Sequence, residues 1–399
     1  MTLSSLLLFC TAFSLRVIGD LQVANTQEVE YASRSLFPEL MVSQDGTPSY
    51  NLFLGDQTNT DLSLAPIVSG MLASLPDTTY TVLGNHDRDL SGPATPQDST
   101  YSANFGQPYY DFTIGNVHFM VLNNVEPQGK RGYHGRVSDE QIQWLRQKLN
   151  EQPTGHQQVL AMHIPAAFTA NADTLFQLFE AHGTSHLLFL SGHLHQVHRA
   201  VQQRPSGLVV HEVSVGAACG AWWTGERDQF GVPSALMHGG TPRGYFIFDF
   251  DDEGQYRFHY KGIGLDPSRQ MTVWVAGTDS ADVHIDSLAI RPIGEVYATV
   301  YGACQETIVE CQLDNGTWIR GEHVAVMDAN VAIIRQQNTD QIYPTRFSRT
   351  NPIRKHTSPQ IWRFSFSPSQ LQGQHCLRLR AHDRLGFEAQ ATKLFYLNK

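Results

Sequence analysis

The seven residues TVLGNHD, Thr81 to Asp87, decide how this chain is read. A β-branched, apolar run stops on glycine, and an amide, an imidazole and a carboxylate follow without a break. The first half has the make-up of a buried strand. The second half is what a strand end delivers to a crevice, because binding groups in open α/β sheets gather where strands finish and loops begin.

The same ending recurs on both sides of it. VIGD closes on Asp20, LFLGD on Asp56, VLAMH on His163, and LFLSGHLH on His193 and His195. Between these runs lie stretches of helical period. DLSLAPIVSGMLASL (61–75) sets Leu62, Ile67, Met71 and Leu75 on one helical face. SDEQIQWLRQKL opens with Ser138 as N-cap and Gln141 at the capping-box position, and Ile142, Leu145 and Leu149 form its buried stripe. Strands that alternate with helices predict an α/β domain. After about residue 270 the texture changes to short alternating runs, MTVWVAG, VYATVYG, VAIIRQQ, IWRFSFS and HCLRLRAHDRLG, which predict a separate all-β sandwich. The expected division is therefore 1–270 and 271–399.

A length of 399 residues suits two or three domains, and 41% hydrophobic with 17% charged residues is the composition of a globular chain. The formal charge of −10 argues against nucleic acid as a partner, since phosphate contacts need clustered Lys and Arg. Five scattered cysteines form neither a disulfide framework nor a thiolate zinc motif. No apolar run is long enough for a transmembrane span. The opening MTLSSLLLFCTAF has a greasy centre without a basic start, and reads equally as a degenerate signal peptide, a plain extension or a truncated gene start. Export to the periplasm or cell surface is the expected location, with the cytoplasm left open. The oligomeric state is not legible.

The converging groups are two carboxylates, an amide and several imidazoles. They are oxygen and nitrogen donors suited to Mn, Fe or Zn. A single Asp after a strand is usually a turn former or cap, and the joint occurrence, in order and each at a strand end, is what points to a metal site. Trp222 and Trp223 fit a substrate wall or packing against the C-terminal region equally. His211 and His238 read as ordinary hydrogen-bonded histidines, and His118, inside a strand, as structural.

Asp20, Gly55-Asp56, Gly84-Asn85-His86-Asp87, His163 and Gly192-His193-Leu194-His195 together resemble the calcineurin-like metallophosphoesterase superfamily. The segment beginning VGAACGAWWTG and the β-rich tail are similar to a bacterial, Bacteroidetes-type subgroup of exported proteins with a C-terminal β domain. The resemblance implies a calcineurin-like β-sandwich of mixed sheets flanked by helices, followed by a smaller Ig-like sandwich. It also implies two divalent metal ions and hydrolysis of a phosphate mono- or diester, small-molecule or glycan-linked. Asp56 would bridge the metals. Asp20, His195 and the residue two after Asp20 would hold one ion, and Asn85, His163 and His193 the other. His86 would protonate the leaving group, with Asp87 orienting it.

The departure is Gln22, which stands where the family pattern has histidine. Its carbonyl binds the metal, holds a metal-bound water, or does neither. Asp-x-Gln is common in the subgroup, which favours a tolerated variant. The competing reading is a catalytically weakened binding protein whose C-terminal β domain engages a glycan or protein partner.

Overall fold

The computed structural model describes residues 10–42, 46–90, 97–153, 155–278, 291–339, 353–355 and 357–397, so most of the N-terminal signal-like stretch lies outside it. In chain order the first part contains β1 (Phe13–Ile18), α1 (Thr26–Leu40), β2 (Ser49–Phe53), α2 (Ala65–Ala73), β3 (Thr78–Thr81), α3 (Ser99–Phe105), β4 (Tyr110–Ile114), β5 (Val117–Val121), β6 (Val125–Gln128) and β7 (Gly132–Gly135). It continues with α4 (Asp139–Asn150), β8 (Gln157–Ala161), α5 (Ala172–His182), β9 (His186–Ser191), β10 (Val197–Gln203), β11 (Val209–Val215), β12 (Gly244–Phe250) and β13 (Tyr256–Gly262). Two mixed sheets result, of order β13-β12-β1-β2-β3 and β10-β11-β9-β8-β5-β4. In the first, β1, β2 and β3 run parallel, and in the second β5, β8, β9 and β11 do.

The apolar runs are continuous because both faces of these strands are covered. Val159, Ala161, Leu188 and Leu190 turn into the space between the sheets, where they meet Leu15, Val17, Phe246 and Phe248. Their neighbours Leu160, Met162, Leu187 and Phe189 face outward onto Leu145 and Leu149 of α4 and Phe176 and Phe179 of α5. Each large apolar side chain so buried contributes about 1.5–3 kcal/mol relative to exposure. Ser138 caps α4 by accepting from Gln141 N (3.3 Å), and the Gln141 amide clips the helix to the end of β5 through Asn123 N and O.

Within 61–75 the buried face differs from the expected one. A single turn of tight helix, Leu62–Leu64, precedes α2, and the buried positions are Leu64, Ala65, Val68, Leu72 and Leu75, while Ile67 is 46% exposed. The tight turn ahead of α2 shifts the phase of the longer helix away from that of one uninterrupted helix.

The later part holds β14 (Met271–Val275), β15 (Glu295–Val300), β16 (Ile308–Leu313), β17 (Trp318–Arg320), β18 (Glu322–His323), α6 (Ala329–Thr339), β19 (Ile361–Ser365), β20 (Gly373–His382) and β21 (Glu388–Leu397). These strands form two antiparallel sheets, β14-β15-β19-β18 and β17-β16-β20-β21. VAIIRQQ, expected as a strand, is helical. Asp328 accepts from Asn330 N (2.8 Å) and Val331 N (3.1 Å) to start α6, and Ala329, Val331 and Ala332 become its buried apolar residues. Local capping overrides β propensity there.

The two parts share one apolar core, since Tyr260 packs on Tyr301 (5.7 Å between ring centroids) and Phe258 on Phe387 (5.9 Å). Arg199 of β10 crosses the junction, donating to Gly302 O (2.7 Å) and Thr307 Oγ1 (3.1 Å) and pairing with Asp383, both charged groups being shut off from solvent. Among the described residues no helix is long and apolar enough to cross a membrane.

Candidate metal centre

Parallel register puts the strand ends side by side. Ile18 lies opposite Phe53, Phe53 opposite Thr81, and Ala161 opposite Leu190. Asp20, Asp56, Asn85, His163, His193 and His195 all follow these ends within a few residues and meet at one edge of the sandwich. The glycines before the ligands make the approach possible. A Cβ on Gly84 would stand 2.1 Å from Asp56 N and 2.2 Å from its Oδ1, so only glycine lets the two loops touch. Asp20, Gln22, Asp56, His193 and His195 all take positive φ, between 43° and 73°. For residues other than glycine that conformation costs roughly 1–3 kcal/mol each, strain of the kind that collects at functional sites. It also means that Asp20 and Gln22 do not share a face by strand alternation, and that His193 and His195 converge because the chain turns between them.

Asp56, His163 and His193 place one ligand atom each within 4.8 Å of one another. His163 Nε2 lies 3.5 Å from Asp56 Oδ2, 3.0 Å from Asn85 Oδ1 and 3.2 Å from His193 Nδ1. On its other side His163 Nδ1 meets Leu54 O at 2.8 Å, which makes that nitrogen the donor and leaves Nε2 as the inward atom that becomes a ligand once its proton is lost. His195 repeats the device, with Nδ1 2.6 Å from Gly220 O and Nε2 3.7 Å from Asp20 Oδ1. Asp20 Oδ2 accepts from His193 N (2.9 Å), while its Oδ1 is buried with no hydrogen-bond partner.

Charge follows the same pattern. Burial, with Asp56 and Asp87 nearby, drives the Asp20 carboxyl well above the usual range against the pull of His163. Burial also acts to raise Asp56, but His163 and His86 hold it low. Asp87 is pushed up to about 6 by burial and by Asp56. For His163 burial acts downward, and Asp56 and Asp20 outweigh it to bring the imidazolium up to about 9. Burial takes His193 down to about 3, with His163 adding to it, and His195 down to about 4. The protein's own groups thus leave the centre short of positive charge. An orphaned carboxylate oxygen, imidazoles with inward lone pairs and an amide oxygen make a donor set that fits divalent cations.

Gln22, also buried, is tied elsewhere in part. Its Nε2 lies 3.4 Å from Asn59 Oδ1, and its Oε1 lies 3.8 Å from the buried Cys219 Sγ, which is 3.7 Å from His195 Nδ1. His86 donates its backbone N–H to Asp56 Oδ1 (2.8 Å), and its half-buried ring is met at Nδ1 by Thr60 Oγ1 (2.7 Å). Asp87, the next residue, is buried. Its carboxylate accepts from Thr58 N (3.1 Å) and Gly84 N (3.0 Å), so it pins the loop after β3 to the loop after β2, and Thr60 meets the ring.

The two tryptophans divide. Trp223 is buried, donates to Leu21 O (3.1 Å) and packs by Tyr31 and under Arg243. Trp222 is half-buried and lies 4.6 Å from the His195 ring. His238 stands beside it, 5.4 Å from Trp222 and 6.1 Å from His195, with its Nδ1 accepting from Arg354 N (3.3 Å). Buried Ile353 packs with Ala221 and Val331, so the C-terminal part reaches the rim. His211, on β11, bonds Tyr256 and Arg199 away from the centre, and His118 bonds Gln158 and Asp111 within the second sheet. Tyr133, whose ring lies 6.2 Å from His193 with Arg88 above it, was not singled out from sequence, and neither was Thr60.

Residues 13–197 match the calcineurin-like phosphoesterase family, and residues 212–388 match the C terminal of calcineurin-like phosphoesterase. The chain belongs to the calcineurin-like phosphoesterases, a family of metal-dependent phosphoric ester hydrolases. A search of curated proteins finds no match. Similar solved structures include a purple acid phosphatase, PPD1, from yellow lupin (Lupinus luteus) seeds, at 12% identity and TM-score 0.43, over 63% of this chain and 51% of that one. The chain therefore spans about half the length of the lupin protein. A phosphopantetheinyl hydrolase from Mycobacterium tuberculosis is similar at 14% identity and TM-score 0.34, over 56% of this chain and 96% of its own. An archaeal phosphodiesterase is similar at 11% and 0.28, over 62% of this chain and 100% of its own. At such identities and scores no substrate transfers from any of them.

Proposed function

We propose that the chain is a two-metal hydrolase of phosphate mono- or diesters, with Asp56 shared between the cations. Asp20 and His195 would hold one, with Gln22 the neutral neighbour, and Asn85, His163 and His193 would hold the other. The carrying observation is the convergence of Asp56, His163 and His193 beside the unpartnered, buried Asp20 Oδ1. Bound Mn, Fe or Zn would supply Lewis acidity toward the phosphoryl group and a hydroxide nucleophile near neutral pH.

The rest is the work of the chain's own groups. Leu54 O and Gly220 O fix the tautomers of His163 and His195. Asp87 fixes the loop that carries Asn85 and His86. With Nδ1 on Thr60, His86 delivers its proton to the leaving oxygen from Nε2. Trp222 and Tyr133 flank the ligands as walls for a small-molecule or glycan-linked ester.

The test is turnover of p-nitrophenyl phosphate and bis(p-nitrophenyl) phosphate by the purified protein with Mn2+, Fe2+ or Zn2+. Hydrolysis of at least one, abolished by chelation and restored by metal, is the expected result. No turnover of either ester with any of the three metals would show the reading to be wrong.

A further inference from the structure

A trough of about 800 Å³ lies along β20 and β21 of the sheet β17-β16-β20-β21 and is bounded by residues 268–273, which lead into and form part of β14. Alternation along β20 sends Leu377, Leu379 and Ala381 into the core and leaves Arg378 and Arg380 outside, opposite Thr392 and Gln390 of β21. Arg269, just before β14, stands on one side and Trp318 of the edge strand β17 on the other, with Lys393 also in the lining. Among the described residues four cations and no carboxylate are in its lining, with Glu310 just outside it against Arg380, although the whole chain carries a formal charge of −10.

The guanidinium groups are held in place. Arg378 Nη1 donates to Asp314 O (2.7 Å), and Arg380 Nε donates to Glu310 Oε2 (2.7 Å) while its plane lies 4.3 Å from the Trp318 ring centroid. A guanidinium has five N–H donors, so each keeps several for a ligand at little further entropic cost. Beyond the trough the same face of β21 continues into Leu394 and Tyr396, 69% and 64% exposed.

The geometry points to a binding site for an anionic glycan, a sugar chain bearing sulfate, carboxylate or phosphate groups, on the C-terminal sheet. The volume is in the range of sites that enclose a ligand of many atoms rather than one inorganic anion. Fixed guanidinium groups with a hydroxyl and an amide opposite them on β21 suit anions spaced along a hydroxylated chain. Aromatic rings at the two edge strands suit the apolar faces of sugars. Nucleic acid fits less well. β17 and β21 are three strand spacings apart, roughly 14 Å. Trp318 and Tyr396 therefore cannot hold successive bases.

The experiment uses the full chain and four probes: dextran sulfate, polygalacturonate, neutral dextran and single-stranded oligodeoxythymidine. Calorimetric titration at about 0.15 M salt should show binding of at least one anionic polysaccharide and none of neutral dextran. The Arg378→Ala/Arg380→Ala variant should weaken that binding about tenfold or more, through loss of two charge-assisted contacts, with aryl phosphate turnover unchanged. Arg269→Ala, in an exposed position outside the strands, should weaken it too and guards against misfolding of the double variant. No binding of either anionic polysaccharide, equal affinity in all variants, or tighter binding of the oligonucleotide would overturn the assignment.

Discussion

Thr60→Val tests the positioning of His86 with the least disturbance. Valine keeps the branched shape and removes only Oγ1, which stands 2.7 Å from His86 Nδ1. A hydrogen bond of this kind contributes about 0.5–1.5 kcal/mol. If that energy serves only to hold the ring for proton transfer, its loss slows kcat by about two- to tenfold at 1.36 kcal/mol per factor of ten. His86→Ala removes the acid itself and should cost about 10² to 10⁴ in kcat. Because Thr60 acts through His86, the double variant should be no slower than His86→Ala alone. The assay is kcat on an aryl phosphate at saturating Mn2+, with metal content measured alongside, and metal should stay at the wild-type level in all three variants. Full activity in Thr60→Val, or a further loss on adding it to His86→Ala, would refute this role.

Gly84→Ala should lose metal and fold stability together, because the added Cβ meets the backbone of Asp56, which cannot yield; overpacking of this kind costs about 1–3 kcal/mol or more, read as a lowered Tm. Asp383→Ala leaves Arg199 buried without its counter-charge and should cost about 3–5 kcal/mol in denaturant unfolding, whereas turnover per folded molecule stays unchanged. Metal uptake should depend on pH. His163, raised to about 9, starts protonated at neutral pH and must release that proton to become a ligand, so apparent affinity climbs with pH and levels off above about 9. Titrations at about pH 6, 7 and 8 check the sign, and an affinity that falls as pH rises would contradict it.

The positions of the ligands were legible because the apolar runs ahead of them end on ligand-type side chains, as VLAM does on His163. Side-chain partners were much less so. The resemblance implied that Asp87 orients His86, and the contacts that add to this, Asp87 to Thr58 N and Thr60 to the His86 ring, come from the loop after β2. Residues two apart, such as Asp20 and Gln22, share a face on extended backbone, but both of these sit at φ of 43°. Ile67 and VAIIRQQ were misread because a short helical turn and an Asp cap reset the phase locally. Nothing in the order of the sequence shows that Arg354 meets His238, since the contact depends on how the C-terminal sheets dock.

The most direct measurement of the central claim is metal stoichiometry by mass spectrometry after titration with Mn2+ and gel filtration. The wild-type chain should hold two ions. Asp20→Ala and His163→Ala should each hold about one, and Gln22→Ala should keep more than Asp20→Ala, because the carboxylate supplies the charge and the amide only a dipole. Asp56→Ala should hold none, since both sites share that carboxylate. An Asp56→Ala protein that keeps one ion, or a wild-type chain that never binds more than one, would contradict a paired centre built on Asp56.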